Sequence, residues 1–145
     1  MRAALRAARR PEAVDPAELK AIVAELKRLQ KASQAGRPDD IAKFVEETRA
    51  CDSRLHDLIA TSCGSRRLAS EIQRYKMLFR AFRDVTYARS EGGVSYEHML
   101  QENVDHLAIA EALAEKDGKS AAKAMSKHID AVMRYWGQLI VDALG

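Results

Sequence analysis

Four side chains in this sequence belong to types that bind metals and recur at spacings that would bring them together: Asp52, His56, His106 and His128. Asp52 and His56 are four residues apart, one turn of a helix, and share a face with Val45, Ile59 and Cys63, so both project toward apolar neighbours. His106 repeats with Met99, Ala110 and Leu113, and His128 with Ala121, Met125, Val132 and Tyr135. A single inward histidine is more often a hydrogen-bonded core residue than a ligand. Three of the chain's four histidines on core faces of three helices, one with a carboxylate a turn away, form a pattern from which helical bundles build metal sites. A hard carboxylate with borderline imidazoles suits a divalent transition metal: zinc first, with nickel, iron or manganese left open. The fourth histidine, His98, falls in the first turn of its helix and reads as a surface or capping residue; Glu102, one turn before His106, reads as a partner for that ring.

Arg80 and Arg83 flank Phe79 and Phe82 on one predicted helix, and an arginine at the edge of an apolar cavity can hold a carboxylate by a two-point hydrogen bond. Arg66, Arg67, Arg74 and Arg89 lie on the same helix, so most of this arginine set must be solvated.

The elements that must position these groups are all helical. Asp15-Pro16 with Glu18 starts a helix over about 15–34, and Gly36, Arg37 and Pro38 break it. Asp39 or Asp40 then caps a second long helix that stops at Gly64. Leu68, Ile72, Tyr75, Phe79, Phe82 and Thr86 mark a third, ending before Glu91-Gly92-Gly93. Ser95 caps a fourth that runs to Asp117-Gly118, and a fifth spans about 120–144. With a short N-terminal piece over 1–10, the pattern predicts an all-α antiparallel bundle of about six helices around a central metal cluster, in a single domain over 1–145.

Composition agrees. The chain has 145 residues, 47% hydrophobic and 31% charged, enough for one core; Gly and Pro are few, and no stretch reads as a membrane span or a secretory signal, so a cytoplasmic location is expected. A net charge of +3 is too small for a dense nucleic-acid-binding face, and nine of the 24 basic residues fall in residues 1–37, making the surplus an N-terminal feature. Cys51 and Cys63, twelve residues apart on one predicted helix, would be about 18 Å apart and cannot bridge each other.

The order of motifs, D-x-x-x-H at Asp52 to His56, then Ile59 to Leu68, DHLAIAEAL from Asp105 and AAKAMSKHI to Ile129, resembles the FCD family from about residue 5 to the C-terminus. FCD domains are the C-terminal effector-binding domains of GntR-type transcriptional regulators of the FadR subfamily. The resemblance implies that Asp52, His56, His106 and His128 are the metal ligands, that a small organic acid binds beside the ion, and that the bundle is a homodimer. The chain has Cys63-Gly64-Ser65 where the family commonly has Ser-Gly-Asn, so Ser65 joins Arg80 and Arg83 as a candidate effector contact without the amide. It has Asp105-His106 in place of Glu-His, a change away from the ligating atom.

The resemblance also implies a winged helix-turn-helix domain ahead of this one. None is found in these residues, so the expectation is a fragment of a longer regulator, or a product that has lost its DNA reader, which would contact DNA only through that missing domain. The implied role is binding rather than turnover. The competing readings are a bundle metalloenzyme acting on a small acid, for which the sequence offers no further base or nucleophile on the same faces, and a structural dimerisation bundle without ligand.

Overall fold

The computed structural model describes residues 2–36, 40–89 and 96–144, with the side chains of 11, 82–89, 140, 143 and 144 outside that description. Among the described residues there are six α-helices and no strand: α1 (Arg2–Ala8), α2 (Pro16–Gln34), α3 (Ile41–Ser62), α4 (Arg66–Arg89), α5 (Tyr96–Ala114) and α6 (Gly118–Leu144), with one 3₁₀ turn at Pro11–Ala13.

The helix boundaries follow from capping chemistry. The Asp15 carboxylate accepts hydrogen bonds from the backbone N–H of Ala17 and Glu18, with Pro16 in the first turn of α2. Asp40 caps α3 by accepting from Lys43 N at 2.9 Å; Asp39 lies outside the described residues, as do Ser95 and the Glu91-Gly92-Gly93 break. Asp117 accepts from Lys119 N and Ser120 N, so α6 begins at Gly118, two residues before the predicted start. Gly64, with φ +66°, turns the chain out of α3, a backbone conformation in which a side chain would be strained.

Consecutive long helices run antiparallel. Arg54 bonds Glu18 while Arg28 bonds Glu47, crossing α2 against α3, and Lys76 reaches Asp57 and the Ser53 carbonyl from α4. His98 stacks on Tyr135 near the start of α5, and His106 meets His128 farther along it, which sets α5 against α6. Helices α3 and α5 are therefore parallel, with Phe44 beside Tyr96 and Asp52 beside His106.

The core is a continuous cluster that includes Ile22, Leu26, Leu29, Leu55, Ile59, Ile109 and Met125. Helix α1 joins it through Ala3, Ala4, Ala7 and Ala8, small residues that let it lie close against α3, α5 and α6, and Arg6 donates to the Cys63 carbonyl at 2.9 Å. Helix α4 packs chiefly on α3 and touches α6 over a narrower contact. The sequence pattern places Tyr75 on the buried stripe of this helix; the structure leaves it 66% exposed, because α4 sits at the edge of the bundle and only one side of it is covered. Cys51 and Cys63 are both buried and unbridged.

Candidate metal and effector site

Three imidazoles from three helices converge, and Asp52 touches two of them. Asp52 Oδ1 lies 3.2 Å from His56 Nε2 and 3.1 Å from His106 Nε2, and His106 Nε2 lies 3.2 Å from His128 Nε2. The ligating nitrogens of His56, His106 and His128 all fall within 4.8 Å of one another. His106 and His128 are buried, His56 is partly so, and the Asp52 side chain is one-third exposed.

This donor set fits a divalent cation. At most one hydrogen can lie between the two facing Nε2 atoms, so at least one of them presents a buried lone pair beside a carboxylate oxygen. Donor separations of 3.1–3.2 Å also match the edge of a polyhedron with metal–ligand distances of about 2.0–2.2 Å. The Nδ1 atoms of His106 and His128 are buried without a hydrogen-bond partner among the described residues, so each ring is oriented by packing and by what lies at its Nε2.

The electrostatics of the cluster keep most of these groups ready to ligate. Burial disfavours the charged form of Asp52, yet the hydrogen bonds and charges of His106 and His56 outweigh it and hold the carboxyl well below its usual range. Burial likewise pulls His106 toward neutrality, but its hydrogen bond to Asp52 prevails and raises its pKa. His128, desolvated and facing two other imidazoles, is pushed down to about 3.

These directions set a pH profile for the metal-free chain. Folded His128 stays neutral below about pH 6.5, where its unfolded counterpart takes a proton, so its contribution to stability declines from there toward pH 3. The contribution of Asp52, present above about pH 3.9, is lost as pH falls through its depressed value. His106 contributes stability that is fully present below about pH 6.5 and is lost as pH rises through its raised value. Among these groups the metal-free optimum is therefore expected near pH 6.5. His128→Gln should flatten the limb between about pH 3 and 6.5 in urea unfolding; an unaltered limb would show that His128 does not set it.

The cluster forms part of the wall of a cavity of about 1370 Å³ between α3, α4 and α6, closed in part by α1 and α5. Arg80 lines it from the exposed face of α4. The Arg83 side chain lies outside the described residues. Ser65 is not among the residues lining the cavity; its hydroxyl accepts from Leu68 N at 3.3 Å and caps α4. The structure adds Arg2 and Arg49 to the lining. Arg49 was discoverable, since it falls three residues before Asp52 and seven before His56 on the same helical face, whereas Arg2 arrives from a remote part of the chain and has no local signal. His98 is not a surface cap: its side chain is 12% exposed, stacks on Tyr135 and lies 3.2 Å from Glu102, so that glutamate engages His98 rather than the second nitrogen of His106.

An all-α bundle whose long helices converge three imidazoles and a carboxylate on the wall of a large cavity is, as a class, a ligand-binding domain. The chain belongs to the FCD domain family, whose model matches residues 1–131. FCD domains are the C-terminal effector-binding domains of GntR-family transcriptional regulators and often bind a metal. No curated protein and no solved structure matches the chain. No described helix is long and apolar enough to cross a membrane.

Proposed function

We propose that residues 1–145 form one effector-sensing and dimerisation domain of a cytoplasmic GntR-type regulator of the FadR subfamily. Asp52, His56, His106 and His128 hold a divalent metal, zinc in the first instance, and a small carboxylate binds beside it. The observation carrying this reading is the convergence of His56, His106 and His128, with Asp52 Oδ1 against the first two, at the wall of a cavity large enough for an organic ligand.

The charge balance favours an anion. Three neutral imidazoles and one carboxylate leave a bound dication with a net single positive charge, and a ligand carboxylate neutralises it in a partly dehydrated site. Arg80, Arg49 and Arg2 line the same space and bring positive charge to it, against Glu46 and Glu102 on the same lining. Bound acid would contact α3, α4 and α6 together, and α4, with its narrow contact to α6, is the element whose packing it would change. In the homodimer that change would be relayed to winged-helix DNA-reading domains. Exposed Val141 on α6, outside the cavity lining, supplies apolar surface for such a dimer. The role is recognition, not turnover.

The test is elemental analysis of protein purified without a metal-affinity tag, followed by melting curves of the zinc-loaded protein against a panel of carboxylic acids. Stoichiometric metal and stabilisation by an acid are expected. Absence of metal, together with no response to added zinc, nickel, iron or manganese, would remove the sensor reading.

A further inference from the structure

The cavity is longer than a two- to four-carbon acid requires. Its lining follows α6 from His128 through Ile129, Val132 and Met133 to Trp136, eight residues or about 12 Å of helix. On α3 it runs from Asp52 back past Thr48 to Val45, about 10 Å in the same direction, because α6 opposes α3. Trp136, whose ring meets Phe79 edge-on, marks the far end. Beyond the histidines the α6 wall carries only apolar side chains.

The α3 wall is mixed, with Glu46 and Arg49 on it beside Thr48. Thr48 lines the cavity one turn from Asp52, is 5% exposed, and its hydroxyl has no hydrogen-bond partner among the described residues. A buried hydroxyl in that condition is stabilised by a ligand oxygen placed beside it. The trough therefore has a polar end built from Asp52, the three histidines and Thr48, and beyond it an apolar side formed by α6 with Phe79 and Trp136, while Arg49 and Arg80 line the opposite side.

We infer that the effector is a carboxylic acid with an apolar tail of about eight to ten carbons, or an aromatic group of that reach, its head at the histidine cluster and its tail toward Trp136. The length follows from an extended chain advancing roughly 3.5 Å per three bonds. The head-group assignment rests on the metal-and-carboxylate reading above; the tail rests on the trough alone. Each methylene buried there should tighten binding by roughly fourfold, whereas a short acid would leave the apolar wall wet.

The experiment is titration of the zinc-loaded chain with acetate, butyrate, octanoate and decanoate below their aggregation concentrations, with octanol as the headless control. A second arm follows quenching of Trp136, the sole tryptophan, by octanoate brominated at its terminal carbon. Expected are octanoate binding tighter than butyrate by about two orders of magnitude, weak binding of octanol, and quenching that octanoate reverses. Equal affinity for acetate and octanoate, with no quenching, would overturn the tail while leaving the metal-and-carboxylate reading intact. Octanol binding as well as octanoate would overturn the acid class. Failure of every acid on protein that also retains no zinc would overturn both. The quenching arm needs no variant and so does not depend on a substituted core folding.

Discussion

Alanine at His106 or at His128 is expected to abolish stoichiometric metal binding while leaving the helical content of the chain close to that of the parent. Each residue supplies an Nε2 at the shared point, the two being 3.2 Å apart, and no other described histidine can take either place. Losing a partner that merely orients a ligand commonly costs 10–100-fold in metal affinity, so losing the ligand itself should cost more than roughly hundredfold. The helices do not depend on either ring, because they are held by the apolar cluster around Leu26, Leu55 and Ile109. His98→Ala is the control that makes the result specific. That histidine is also largely buried and also sits beside a carboxylate, but it faces Tyr135 and Glu102, so metal content should be unchanged. The measurements are metal stoichiometry and far-ultraviolet circular dichroism on each variant. Parental metal content in His106→Ala would remove that residue from the ligand set, and metal loss in His98→Ala would mean that the set had been drawn in the wrong place.

The histidine cluster was legible because it is written in local rules. Helix periodicity turns Asp52, His56, His106 and His128 inward one by one, and the caps at Asp15, Asp40 and Asp117 set the helix starts that determine their faces. That these faces meet does not follow from periodicity alone; the number of inward histidines beside a carboxylate pointed to it, and the resemblance implied it. What stayed hidden depends on packing between distant segments. The N-terminal piece over 1–10 read as a short helix, but nothing local said that its alanines at 3, 4, 7 and 8 would be a buried face or that it would carry Arg2 to the cavity. Tyr75 fits the inward spacing of α4, but spacing cannot say that this helix lies at the edge of the bundle. Ser65 stands at a family effector position and was read by that analogy, although a serine three residues before Leu68 also suits a helix cap, and its hydroxyl makes that bond. Thr48 looked like an ordinary threonine; only its burial without a partner makes it chemically conspicuous.

Chelation is expected to lower the melting temperature of the metal-loaded chain by about 10 °C or more. A ligand that binds only the folded state adds about 2.7 kcal/mol at a hundred times its dissociation constant and about 4.1 at a thousand times, and a domain of this size gains roughly 4 °C per kcal/mol. The metal-free protein should nonetheless stay folded. A hydrogen between the Nε2 atoms of His106 and His128, together with the Asp52 contacts, partly satisfies the cluster, and the surrounding apolar core is independent of it. Scanning calorimetry at several buffered zinc concentrations separates this linkage from non-specific effects, because each tenfold rise in free zinc above the dissociation constant must add about 1.4 kcal/mol. The same series in His128→Ala should lose that dependence, since the folded state would no longer bind more zinc than the unfolded chain. A melting temperature indifferent to both chelator and zinc in the parent would identify the four residues as a hydrogen-bonded structural set. The cavity beside them would then have to recognise its ligand through Arg80, Arg49 and Arg2, without a cation at its wall.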